Sequence, residues 1–473
     1  MSSLPDHLQK PLAQAFAHLQ KGDARRAAPL LKRVLKSAPD NADALHGLGL
    51  AEKAAGRLER AIQFLERARV AAPNNVAAAA NLGGAYREAG RIDDAIDCFR
   101  AVVALAPQTA AGHRNLGVLL QESGRIAEAR ACYEEALRLD PGDAGAHSNL
   151  GAAVREVDGI RAALPHFDRA LQIAPGHPGA LFNRANALHQ AGERARATAD
   201  YEAAVAADPA QADAWFNLHA LRFDASDPAA SIDALERAVA ARPGFAMARA
   251  YLVMCREAAG QDTAADRDWI AAHAPDHAHL LDSWDYVKAH LGPGVALLAD
   301  TYESLRLAMD RAPADGMVLE FGVHRGDSIR FLAGLTERTV HGFDSFEGLP
   351  EGWRTLPAGS YTTRGDLPEV PDNVALHAGW FEDTLPGFVA ENGGPVAFMN
   401  VDCDLYSSTV TVFDNLAERI VPGTVIVFDE YLCNPTWRED EYKAFQELVT
   451  ARSLSYDYLL FSPFTKQAAV IVR

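Results

Sequence analysis

Small, apolar and helix-breaking residues recur through the first half of this chain at a constant step of 34 residues. The step links the prolines Pro39, Pro73, Pro107, Pro141, Pro175, Pro209 and Pro243, and the alanines Ala27, Ala61, Ala95, Ala129, Ala163 and Ala197. Gly22, Gly56, Gly90 and Gly124 fall near the middle of successive units. Each unit therefore predicts a helix, a tight turn, a second helix and a stop. Small residues let paired helices approach, glycine admits the turn, and proline cannot continue a helix. Units run from about residue 8 to 245, and "AMARAYLVMCREAAG" predicts either the first helix of an eighth unit or a capping helix, which places the repeat domain at 1–260. Two units depart: Asp158 and Gly159 stand where one turn glycine belongs, and Ser226 replaces glycine in the last.

Beyond residue 260 the period ends. Residues 261–300 predict short linking helices, and over 301–473 apolar β-rich runs alternate with helical segments. The runs "VLEFGV", "TVHGFDSF", "NVALHAGWF", "PVAFMNVD", "GTVIVFDEY", "YDYLLF" and "AAVIVR" predict the strands of a mostly parallel sheet. In such sheets ligands sit beyond the carboxyl ends of the strands, where the chain order reverses.

A length of 473 residues exceeds one ordinary core, in keeping with this division. The formal charge of −18, with no basic stripe, argues against a nucleic-acid or anionic-membrane partner. The first residues hold no apolar run suited to a signal peptide, and no segment reaches the roughly 18 apolar residues of a membrane span, so a cytoplasmic protein is expected. Cys98, Cys132, Cys255, Cys403 and Cys433 form no CxxC pair and read as buried thiols of a reducing compartment.

The 34-residue unit, clearest in "AAGHRNLGVLLQESGRIAEARACYEEALRLDPGD" at 110–143, resembles the tetratricopeptide repeat. The resemblance implies a superhelix whose concave face binds a protein or peptide partner. Asn81, Asn115, Asn149, Asn183 and Asn217 recur at one repeat position, and such a ladder of amides suits the backbone of an extended peptide. Asparagine at this position is also common in such repeats for structural reasons.

The second half carries acids at its strand ends. Asp402 and Asp404 lie at the end of the run "PVAFMNV", which reads as a buried strand; strand side chains alternate faces, so both are expected to point the same way. Two carboxylates so placed do not both ionise easily without a cation or a proton between them. Asp429 and Glu430 end the next run, 27 residues after Asp402. Helix capping would account for one such acid but not four, and a hard divalent cation answers their repulsion better than a shared proton. Glu320, the glycine-bearing turn after it, and Asp344 have the layout of a nucleoside site. Gly322 and Gly326 make GxxxG rather than GxGxxG, which suits a ligand with adenosine but no diphosphate.

"LEFGVHRGDSIRFLA", "FDSFEGLPEGW", "HAGWFEDTLP", "VDCDLYSST" and "VPGTVIVFDEY" resemble, in order, the motifs of the macrocin-type sugar O-methyltransferases. The resemblance covers roughly 300–473 and implies a Rossmann-like class I methyltransferase domain that uses S-adenosylmethionine and Mg²⁺ or Mn²⁺. It implies Glu320, Gly322, His324 and Ser328 around the methionine part of the cofactor, Asp344 on the ribose, and Gly379 with Trp380 beside the adenine. It assigns the metal to Asp402, Asp429 and Glu430 and makes Asp404 the general base. Glu430 departs from the family, which commonly has Asp there. The Gly- and Pro-rich stretch from Glu347 to Asn373 is expected to lie over the site. The expected activity is methylation of a hydroxyl on a sugar or other small acceptor. The alternatives are a repeat scaffold with a non-catalytic domain, or a methyltransferase of a peptide or glycoprotein held by the repeats.

Overall fold

A computed structural model describes residues 5–473, which fall into two compact units divided between Ala187 and Leu188. The first unit consists of helix pairs. Asp6–Gln20 pairs with Ala24–Ser37, Ala42–Ala54 with Leu58–Ala71, and Val76–Glu88 with Ile92–Leu105. Ala110–Glu122 with Ile126–Leu139 and Ala144–Asp158 with Ile160–Ile173 continue the series. The repeated alanines are the floor of this packing: Ala27, Ala61, Ala95, Ala129 and Ala163 are all 0% exposed. Gly22, Gly56, Gly90 and Gly124 have φ between +73° and +77°, the left-handed conformation a turn of this length requires. At the departing turn Gly159, φ +90°, is by itself the whole link between two helices.

The second unit begins with the last repeats, so the compact division falls well before the expected limit at residue 260. It contains Arg194–Ala207, the pair Ala212–Leu221 and Ala229–Ala241, then Ala246–Ala258, Ala264–His273 and Ala278–His290. Where Ser226 replaces glycine, its amide and hydroxyl both donate to Asp224 Oδ1, at 2.8 and 2.6 Å, and the first helix of that pair is cut short.

One eight-stranded sheet follows: β1 (Ala296–Leu297), β2 (Met317–Phe321), β3 (Val340–Asp344), β4 (Val374–Ala378), β5 (Val396–Val401), β6 (Val425–Phe428), β7 (Tyr456–Ser462) and β8 (Gln467–Val472). Their order is β1-β7-β8-β6-β5-β2-β3-β4. β8 pairs antiparallel with both β6 and β7, and every other pairing is parallel. The chain runs outward from β2 through β3 to β4 and, on the other side, from β5 to β6, so the order reverses between β2 and β5. All of β5 and β6 is buried, as their unbroken apolar runs require. Among the described residues no helix is long and apolar enough to cross a membrane.

Candidate active site

Four loops leave the sheet at one rim and are tied together just past it. Gly322 N donates to Phe343 O at 3.0 Å, Gly379 N to Asp344 O at 2.9 Å, Asp402 N to Phe321 O at 2.9 Å and Asp429 N to Val401 O at 3.0 Å. The approach at the reversal point is so close that a Cβ on Gly322, φ +92°, would lie 1.7 Å from the Asp402 carbonyl oxygen. These ties hold the strand-end acids in fixed register around a cavity of about 800 Å³.

That cavity brings together Gly322, His324, Asp344, Gly379 and Trp380 with Asp402, Asp404, Asp429 and Glu430. Asp344 is fixed in the rim: its Oδ2 accepts from His324 N at 2.7 Å and its Oδ1 from Phe346 N at 2.6 Å. His324 and Phe346 adopt φ of 48° and 58° to deliver those amides. Glu320 and Ser328 are not in the lining. Glu320 is 0% exposed, accepts from Asn400 Nδ2 at 3.0 Å, and is pushed up to about 7 by burial against hydrogen bonds from Ser328 and Asn400.

The expectation that Asp402 and Asp404 share a strand face is corrected. β5 ends at Val401, and Asp404 has φ 60°, so the pair lies on an irregular turn where alternation does not apply. Nor does Asp404 cap the next helix, whose N-cap is Leu405 without a side-chain hydrogen bond. What unites the acids is electrostatic. Burial, then Asp429 and Asp404, raises Asp402 well above the carboxylate range. Burial and the Glu430 charge push Asp404 up to about 7, and burial with Glu430 pushes Asp429 up to about 6.

Glu430 differs from its neighbours. Its Oε1 accepts from Lys466 Nζ at 2.7 Å, and its Oε2 faces Arg354 at 3.3 Å and Asn434 Nδ2 at 3.4 Å. Asp429 Oδ1 accepts from Gln467 Nε2 at 2.8 Å. Among the described residues no three His, Cys, Asp or Glu side chains converge as a ready metal set. Burial and the charges of neighbouring acids raise Asp402, Asp404 and Asp429 alike, and these oxygen donors are the ones a hard cation would take. One further acid was not anticipated. Glu441, 0% exposed, accepts from Glu430 N at 3.0 Å through Oε2, has no partner for Oε1, and is raised by burial and by Asp429. It lies within a polar-looking helix, Glu441–Arg452, where nothing local marks it.

The loop after β3 covers the cavity, contributing Gly348, Leu349, Glu351 and Tyr361 to its wall. Leu349 and Trp353 anchor it on Leu405, so its seating depends on the same turn that carries Asp404. Of the asparagine ladder, Asn81 Nδ2 meets His46 Nε2 at 2.7 Å and Asn183 Nδ2 donates to Ser148 Oγ at 3.0 Å, bonds between neighbouring repeats. Asn217 Nδ2 donates to Tyr201 OH at 3.2 Å, while Asn115 is exposed and Asn149 half-buried.

A glycine-tied rim at the reversal point of a mostly parallel sheet, with a fixed acid on one side and a carboxylate cluster on the other, defines a methyltransferase domain. The family model described as a methyltransferase domain matches residues 319–431, and the tetratricopeptide repeat model matches 12–76, 80–144, 114–178 and 149–212. The chain is 32% identical over 157 residues to 8-demethyl-8-(2,3-dimethoxy-alpha-L-rhamnosyl)-tetracenomycin-C 4'-O-methyltransferase of Streptomyces olivaceus, a match covering 27% of this chain and 59% of that one. It is 30% identical over 179 residues to mycinamicin III 3''-O-methyltransferase of Micromonospora griseorubida, covering 32% of this chain and 68% of the relative. A tetratricopeptide repeat protein from Parabacteroides merdae superposes with a TM-score of 0.47 at 16% identity, over 52% of this chain and 98% of that one. The chain belongs to the O-methyltransferase family of the mycinamicin enzyme and carries tetratricopeptide repeats ahead of that domain.

Proposed function

We propose that the chain transfers a methyl group from S-adenosylmethionine to a hydroxyl of a sugar-bearing acceptor, with its repeats holding a protein partner. The observation that carries this reading is the single cavity lined by both Asp344 and Trp380 on one side and Asp402, Asp404 and Asp429 on the other. The two relatives act, by their names, on a rhamnosylated tetracenomycin and on mycinamicin III.

In this reading Gly322 leaves the backbone bare for the cofactor, Asp344 takes the ribose hydroxyls and Trp380 flanks the base. Asp402 and Asp429 would hold Mg²⁺ or Mn²⁺, and Glu430, occupied by Lys466 and Arg354, acts from behind by keeping those cations in the wall. When bound, S-adenosylmethionine supplies the methyl group and the divalent ion makes the acceptor hydroxyl more acidic. Asp404, which lines the same cavity beside Asp402 and Asp429, accepts the hydroxyl proton. The loop bearing Tyr361 excludes water and limits how the acceptor enters.

Calorimetric titration of S-adenosylhomocysteine into wild type and Asp344→Ala, with Mg²⁺ and with chelator, tests the cofactor assignment. Binding in wild type and its loss in the variant are expected. Absence of binding to wild type under both conditions would refute the reading. Methyl transfer to methyl α-L-rhamnoside and to larger rhamnosides then tests the acceptor class, with activity expected to disappear on chelation.

A further inference from the structure

We propose that Tyr361 determines which acceptor is taken: its ring covers the C–H face of the acceptor's sugar, and its hydroxyl bonds to one of the sugar's hydroxyls, across the cavity from Asp404. This rests on the methyltransferase reading above and names the residue that would hold the sugar.

Tyr361 stands in the loop after β3 and lines the same cavity as Asp402, Asp404 and Asp429. At 51% exposed it is the most exposed aromatic side chain among the described residues. Its one aromatic neighbour among them is His324, edge-on at 6.1 Å, so most of the ring is left uncovered. The backbone does not favour this placement. Tyr361 has φ 63°, a left-handed conformation that a bulky side chain adopts only at a cost.

The residues on either side hold it there. Leu349 N donates to Ser360 O at 2.9 Å, and Thr363 N donates to Phe346 O at 3.2 Å, which clamps both flanks of Tyr361 to the segment leaving β3. Gly348 permits the clamp, since a Cβ there would lie 2.4 Å from the Ser360 carbonyl oxygen. Ser407 Oγ donates to Glu351 Oε1 at 2.6 Å, tying the same loop to the helix Tyr406–Leu416 that follows Asp404. Strain and exposure at a clamped residue facing a cavity point to a ligand that repays both.

The chemistry of the side chain narrows the ligand. The Tyr361 hydroxyl enters no hydrogen bond among the described residues. Partial burial, with the charges of Asp404, Glu430 and Asp402, raises it, so it stays protonated and meets the cavity as a donor. The same acids repel an anionic acceptor. An uncharged sugar supplies what remains, an apolar C–H face for the ring and a hydroxyl oxygen for the donor.

The test uses the full chain, with initial rates for methyl α-L-rhamnoside at saturating S-adenosylmethionine and Mg²⁺. Tyr361→Phe keeps the ring and should raise KM about tenfold, the worth of one hydrogen bond, with kcat nearly unchanged. Tyr361→Gly removes ring and hydroxyl and should raise KM on the order of 100-fold. Its melting temperature should be unchanged or higher, because glycine adopts the left-handed backbone freely. S-adenosylhomocysteine affinity, by calorimetry, should match wild type in both variants. Wild-type KM or a lower melting temperature in Tyr361→Gly would overturn the proposal, and so would a loss of S-adenosylhomocysteine affinity, which would make Tyr361 a cofactor contact. A wild-type chain that binds S-adenosylhomocysteine but neither binds nor methylates the rhamnoside would overturn the sugar contact alone. Failure of wild type to bind S-adenosylhomocysteine would overturn the reading beneath it.

Discussion

At Asp404 the backbone is left-handed and the carboxylate is crowded by Glu430 and Asp429, so the side chain is held in a place that neither capping nor packing explains. Asp404→Asn keeps the shape and removes the proton acceptor. Turnover should fall by about 10²–10⁴-fold with S-adenosylhomocysteine affinity unchanged, as measured by initial rates and calorimetry; unchanged turnover would take Asp404 out of the base role. Gly322→Ala should abolish cofactor binding or folding, because its Cβ would sit 1.7 Å from the Asp402 carbonyl oxygen. His219 supplies a pH dependence. Burial lowers it from 6.5 to about 4, so the unfolded chain binds the proton first as pH falls. Its contribution is therefore intact above about pH 6.5 and is lost progressively toward pH 4, about 2 kcal/mol by pH 5. The raised carboxyls of Glu320, Asp404 and Asp429 gain stability over the same range, so the His219 loss is read as a difference: between pH 7 and pH 5, urea denaturation should show wild type losing about 2 kcal/mol relative to His219→Phe. Asp344, Asp402 and Asp429 were legible as acids ending apolar runs. Glu441, Arg354 and Lys466 were not, because their roles arise from contacts between segments far apart in sequence.

At the scale of elements, the repeat frame was legible to the residue because each helix pair solves the same packing problem. Gly83, Gly117 and Gly151 continue the 34-residue step on the first helices, and a Cβ on them would meet Phe99, Tyr133 and Phe167 at 2.7, 2.6 and 2.6 Å. Gly117→Ala should therefore destabilise the first unit by about 1–3 kcal/mol through overpacking. Gly84→Ala, one residue from Gly83 but with nothing within 4 Å, should be neutral or stabilising by about 0.5–1 kcal/mol. Denaturant midpoints of the two variants decide this, and equal effects would refute the close-packing account. Seven strands of the sheet stood out as apolar runs. β1, only Ala296–Leu297, did not, since two residues paired with β7 carry no periodicity of their own. The turn after β5 was misread for a related reason: an apolar run shows where a strand is buried, not where the backbone leaves it.

For the whole molecule, the compact division at 187/188 changes what the last repeats are for. The end of the 34-residue period marks where the repeat grammar stops, but the packing continues across it. Phe464 of the sheet domain sits on Phe223, His219 and Tyr251. Arg194 reaches Asp300 and Glu303 at 3.6 and 3.3 Å, and Tyr302 OH donates to Gln190 O at 2.6 Å. A chain cut at residue 261 would expose those rings and leave Asp300 and Glu303 without Arg194. A chain beginning at residue 176 keeps the helix Pro178–Gln190 and everything after it. The longer fragment should melt cooperatively and bind S-adenosylhomocysteine as the full chain does, while the fragment 261–473 should aggregate or melt several degrees lower, since a loss of 1 kcal/mol shifts a domain of this size by about 2–4 °C. Scanning calorimetry of both fragments separates the cases. Equal stability would mean that the last repeats only adjoin the methyltransferase domain. A large deficit in the shorter fragment would mean that the domain is completed by the repeats that precede it, and that His219, Phe223 and Tyr251 are part of its fold.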